Sequence, residues 1–100
     1  MRIIAYSNLR AFSAKHPDAE ASLERWVEVM SGVACNSPAE VIAVFPASKV
    51  VSHDRVRFEV AGGRYRLIAA FKFKNQIVFV KFIGTHAEYD AVEAATVSQF

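Results

Sequence analysis

The sequence predicts an α+β fold: helices from the first half packed on a small antiparallel sheet from the second, closed by a short C-terminal helix. Two observations carry this expectation. Apolar residues recur at helical spacing up to about residue 45, and after His53 the pattern switches to strict alternation. A third sets the scale, since 100 residues at 53% hydrophobic suit one compact core, and no repeat, low-complexity run or Pro/Gly/Ser-rich linker divides the chain. One domain over residues 1–100 is expected.

Arg2 to Ala5 can form a short strand, after which Ser7-Asn8 reads as a helix start that carries Leu9 and Phe12 inward. Lys15-His16-Pro17 closes that helix. A second begins at Pro17, with Asp18 and Glu20 in its first turn, where acidic groups complement exposed amides. Its apolar stripe is Leu23, Trp26, Val27 and Met30, and Gly32 ends it. Ser37-Pro38-Ala39-Glu40 joins an N-cap serine, a first-turn proline and a glutamate three residues after the cap. This capping-box pattern starts a third helix, about residues 38 to 44, which Phe45-Pro46 stops.

In the second half, Arg55, Arg57 and Glu59 alternate with Val56, Phe58 and Val60, giving a strand with one wet and one buried face. Gly62-Gly63 supplies a tight turn. The returning strand, Arg64 to Phe73, places Arg64 and Arg66 on one face and Tyr65, Leu67, Ala69 and Phe71 on the other. After Lys74-Asn75-Gln76, Ile77 to Ile83 is apolar except at Lys81 and reads as a central strand. Thr85 and Glu88 fit a second capping box, so a terminal helix follows in which His86, Tyr89 and Asp90 share a face.

The net charge of +2 is mild, but its distribution is uneven. Residues 1–54 carry five basic and six acidic groups, whereas Arg55, Arg57, Arg64, Arg66, Lys72, Lys74 and Lys81 face a single acid, Glu59, between 55 and 83. A phosphate-bearing partner belongs on the sheet. The lone Cys35 excludes an internal disulfide, and no Cys/His ligand set points to zinc, so no metal or cofactor is expected. No apolar run suits a bilayer, and the chain is expected to be cytoplasmic and away from membranes. His16 and His53 read as loop surface residues, and Trp26 as packing.

The candidate chemistry lies in Gly84-Thr85-His86-Ala87-Glu88-Tyr89-Asp90. A histidine can move protons without a metal, and a tyrosine hydroxyl can donate to or orient a phosphate oxygen. The ordinary alternative is a histidine bonded to a loop carbonyl, a tyrosine ring packed on Ile83 and a glutamate whose work is capping. The arginines are the natural bidentate partners of phosphate.

The segments GGRYRLIA, IGTHAEYD and HPDAE, with SPAEVIAVFP before the sheet, resemble the HigB-type toxins of bacterial toxin-antitoxin systems, within the RelE/ParE-like group. The resemblance runs over nearly the whole chain and implies a RelE-like toxin that cleaves messenger RNA during translation on the ribosome. It further implies metal-independent attack of the ribose 2′-hydroxyl on the neighbouring phosphate, and neutralisation by a HigA-like helix-turn-helix antitoxin that alone contacts operator DNA. Carried onto this sequence, it makes His86, Tyr89 and Arg66 the catalytic candidates, with Glu88 an outside candidate for base. Arg64, Lys81, Arg57 and Lys72 become the candidates for RNA phosphates. The same group contains toxins that poison DNA gyrase, and a member that only binds its antitoxin and co-regulates the operon is a further alternative. Gly63 stands where asparagine is frequent in relatives, and it suits the turn equally well.

Overall fold

The computed structural model describes all residues, Met1 to Phe100. In order they form β1 (Arg2–Ile4), α1 (Tyr6–Lys15), a 3-10 turn at Pro17–Ala19, α2 (Glu20–Gly32), α3 (Pro38–Val44), β2 (Ser48–Ser52), β3 (Arg55–Val60), β4 (Tyr65–Lys72), β5 (Ile77–Thr85) and α4 (His86–Asp90). The α+β class is as expected. The sheet has the order β1-β5-β4-β3-β2, a meander of antiparallel neighbours with β1 added in parallel along β5. It is therefore mixed, because three helices and three further strands separate β1 from β5 and a crossover of that length allows parallel pairing.

Two local expectations need correction, and one strand is unanticipated. The helix α1 starts at Tyr6 without a side-chain cap, because Ala5 turns the chain in the left-handed region (φ 74°) just after Ile4 pairs with Phe79. Pro17–Ala19 is a 3-10 turn, and α2 proper begins at Glu20. The strand β2 carries no clear alternation: it is an edge strand paired on one side only, with Lys49 and Val50 exposed. At α3 the cap works nearly as read, Ser37 accepting from the Glu40 amide, while the Glu40 carboxylate takes the amide of Asn36.

The main core lies between the helices and one sheet face. Leu9, Leu23, Trp26, Met30 and Val41 meet Val56, Phe58, Leu67, Ala69, Phe71, Val78, Val80 and Ile83 there. Full burial of each large side chain contributes about 1.5–3 kcal/mol, enough to hold the sheet against α2. Trp26 packs its ring edge-on to Phe58 at 5.4 Å, as a core residue should.

The opposite sheet face has its own small buried patch, Ile68, Ala70 and Phe82. It is flanked by α4 and by the C-terminal segment. Arg55 donates to the carbonyls of Ala94 and Val97 at 3.2 and 2.7 Å, and Gln99 bonds the Lys81 carbonyl and the Ile83 amide at 2.9 Å each. Because β1 pairs only with residues 77–79 of β5, those β5 groups would otherwise sit on an open edge. No helix is long and apolar enough to cross a membrane.

Candidate active site

The site is built on the sheet face away from α1 and α2. Along β3, the residues between the buried Val56, Phe58 and Val60 point outward, which places Arg57 and Glu59 on this face. In the ladder, Glu59 stands opposite Arg66, and Arg66 in turn opposite Gly84. Arg57 stands opposite Ile68, diagonal to Arg66, at a Cβ separation of about 7–8 Å typical of such neighbours.

Both guanidiniums are half-buried with donors to spare. Arg57 Nη2 lies 3.8 Å from a Glu59 oxygen, and an Arg66 Nη donates to the Gly63 carbonyl. The Nε of each is buried with no partner in the protein. A guanidinium fork suits a phosphate, which would have to approach through the terminal nitrogens rather than the buried Nε.

At the end of β5 the capping box forms as read. The Glu88 amide donates to Thr85 Oγ1 at 3.1 Å, and the Thr85 amide donates to Glu88 Oε1 at 2.8 Å. Glu88 is thus occupied as a cap, which competes with any use as a base. His86 becomes the first helical residue, and its own amide is taken by the Arg64 carbonyl at 3.1 Å. Its ring is more than half exposed and its Nδ1 lies 3.0 Å from Asp90 Oδ2. A carboxylate can only accept, so Nδ1 is the donor in this bond and Nε2 is not engaged by Asp90. Tyr89 is half-buried, with its ring 6.3 Å from Phe82 rather than on Ile83. Its hydroxyl makes no hydrogen bond within the protein.

The other candidates are dispersed. An extra residue in β5, where Ile68 pairs with Phe82 but Ala69 with Val80, makes Lys81 a bulge residue, its ammonium 5.6 Å from the Phe79 ring centre. Lys72 pairs with Ile77 at the far end of β4, six residues or about 20 Å from Arg66. Arg64 departs most from expectation: it lies in a helical turn before β4 and its guanidinium meets Asp18 at 3.0 Å, so it does not share a face with Arg66.

A cluster beside Arg64 has no counterpart among the residues expected from sequence. Asp18 also accepts from the Tyr65 hydroxyl at 2.6 Å, and His16 stacks on Phe12 at 4.3 Å with Tyr65 5.1 Å away, so it is no free surface residue. The hydrogen bond from Tyr65, then that from Arg64, hold the Asp18 carboxyl below the usual carboxylate range, and the same bond with burial pushes the Tyr65 hydroxyl up. Only the HPDAE segment hints at this. Asp90 belongs to the site as well, and its spacing of four from His86 is visible in the sequence.

Neither of the two main cavities touches α4. One lies between α1 and α2 and the other between Trp26, Phe45 and Phe58, so neither belongs to the candidate site.

A RelE-like toxic component of a toxin-antitoxin system is the class of protein that this chain matches. The family described in those words, HigB toxin, matches residues 19–92, and the chain belongs to it. The chain is also 29% identical over 92 residues to the mRNA interferase HigB of Escherichia coli O6:H1 (strain CFT073), covering 90% of this chain and 89% of that one.

Proposed function

We propose that this toxin is an endoribonuclease that cuts messenger RNA during translation on the ribosome, without a metal, and so arrests protein synthesis. The observation that carries the reading is the pairing of His86 with Asp90 at the start of α4, two residues beyond Gly84, the ladder partner of Arg66. The name of the Escherichia coli relative supports the messenger RNA target.

In the proposed reaction the 2′-hydroxyl loses its proton and attacks the adjacent phosphorus. The bond to the 5′-oxygen breaks, leaving a cyclic phosphate and a 5′-hydroxyl. His86 Nε2 takes one of the two proton transfers and the Tyr89 hydroxyl serves the other or orients the phosphate. Arg66 and Arg57 stabilise the charge that grows on the phosphorane. Lys81, Arg64 and Lys72 guide the flanking backbone. A HigA-like helix-turn-helix antitoxin in the same cytoplasm neutralises the toxin and brings it to operator DNA.

Induced expression followed by mapping of transcript 5′ ends tests this. New ends confined to translated messages, and absent when initiation is blocked, are expected. Intact transcripts with inhibited supercoiling would instead favour a gyrase poison, and the absence of toxicity despite soluble expression an antitoxin-binding co-regulator.

A further inference from the structure

The HPDAE segment is not used by the proposed reaction, yet its aspartate touches the start of β4, to which the first residue of α4 is bonded. Pro17 opens a 3-10 turn that places Asp18 over the start of β4. From there Oδ1 accepts the Tyr65 hydroxyl at 2.6 Å and Oδ2 accepts Arg64 Nη1 at 3.0 Å. These same two residues hold the head of α4 through their backbones. The Arg64 carbonyl takes the His86 amide at 3.1 Å, and Tyr65 is the ladder partner of Thr85, the cap of that helix. A helix of five residues has little stability of its own, so its position is set by what its first turn is tied to.

We infer that Asp18 is a positioning residue for His86: by gripping Arg64 and Tyr65 from the helix layer, it sets where the imidazole stands above the sheet. Tyr65 transmits the grip through its ring, which His16 and Phe12 wall in. Arg64 transmits it through the carbonyl beside the guanidinium that Asp18 holds. The consequence for catalysis rests on the proposed nuclease reading, but the positioning itself does not.

The test uses the full chain with Asp18→Ala, Asp18→Asn and Tyr65→Phe. Exchange of the His86 amide hydrogen reads the position directly. Asp18→Ala should lower its protection about tenfold while Ala69 and Val80 amides in the sheet stay as in the wild type. In message cleavage, kcat should fall about tenfold or more with little change in KM, because misplacement weakens the chemical step rather than binding. Asp18→Asn, which keeps an acceptor for Tyr65, should recover part of both effects. Tyr65→Phe, which keeps the ring, should reproduce a share of them. Unaltered His86 exchange in Asp18→Ala would overturn the inference, as would a fall in protection spread equally over Ala69 and Val80. If His86 exchange changes while the wild-type chain proves unable to cut RNA, the positioning stands and the nuclease reading alone fails.

Discussion

Gly84 lies directly opposite Arg66 in the β4–β5 ladder, and it has no room for a side chain: a Cβ there would fall 2.7 Å from the tip of Phe82 and 3.0 Å from Glu88 Oε1. The missing side chain is what lets α4 fold down beside the arginine. Gly84→Ala should therefore push Phe82 and α4 outward. The expected cost is about 1–3 kcal/mol, read as a lowered melting temperature, together with slower message cleavage.

The Thr85–Glu88 box is the second determinant of that helix. Thr85→Ala should remove about 1 kcal/mol and raise amide exchange in residues 86–90, leaving the β3–β4 ladder untouched. Glu88→Gln separates capping from base catalysis, since glutamine can still accept the Thr85 amide but cannot take a proton at neutral pH. Retained cleavage is expected, and a loss comparable to that of His86→Ala would restore Glu88 as the base.

Arg66→Ala and Arg57→Ala should each weaken RNA binding and cleavage, and lower the slope of log affinity against log salt by about 0.7 for each single-strand phosphate no longer neutralised. Lys72→Ala, at the far end of β4, should change the slope without slowing the bond-breaking step. Equal effects of Lys72 and Arg66 on single-turnover rate would contradict the proposed geometry.

The bonds of Asp18 also predict a pH dependence. A carboxyl held below its ordinary range stabilises the fold fully above about pH 4 and loses that contribution as the pH falls through its folded value. A tyrosine pushed up stabilises it below about pH 10 and loses the contribution as the pH rises further. Tyr65→Phe should flatten the stability profile at both ends, as denaturant melts at pH 3, 7 and 10.5 would show. Profiles parallel to the wild type would contradict the bond.

Much of the fold and site is legible in the sequence because the governing interactions are local. The Thr85–Glu88 box, the Ser37 cap, the Gly62-Gly63 turn and the inward alternation of Val56, Phe58 and Val60 are set by residues within a few positions of one another. What escapes a sequence reading depends on distant partners. Periodicity places Arg64 and Arg66 on one face only if the strand begins at Arg64, but Asp18, 46 residues earlier, holds Arg64 in the turn. The bulge at Lys81 is equally silent in an apolar run, and so is β2, whose pairing with β3 rather than its own pattern makes it a strand. The parallel pairing of β1 with β5 joins the two ends of the fold, beyond any local signal.

If His86, steered by Asp90, and Tyr89 make this toxin a ribonuclease, their joint removal must silence it. Cleavage of a defined message on programmed ribosomes, comparing wild type with the His86→Ala/Tyr89→Phe double variant, decides the matter. Wild-type products should end in a 2′,3′-cyclic phosphate and a 5′-hydroxyl, and the variant should be slower by at least about a hundredfold, the range expected for losing positioned acid–base groups. Undiminished cleavage by the double variant, or wild-type products ending in a 3′-hydroxyl and a 5′-phosphate, would contradict this assignment.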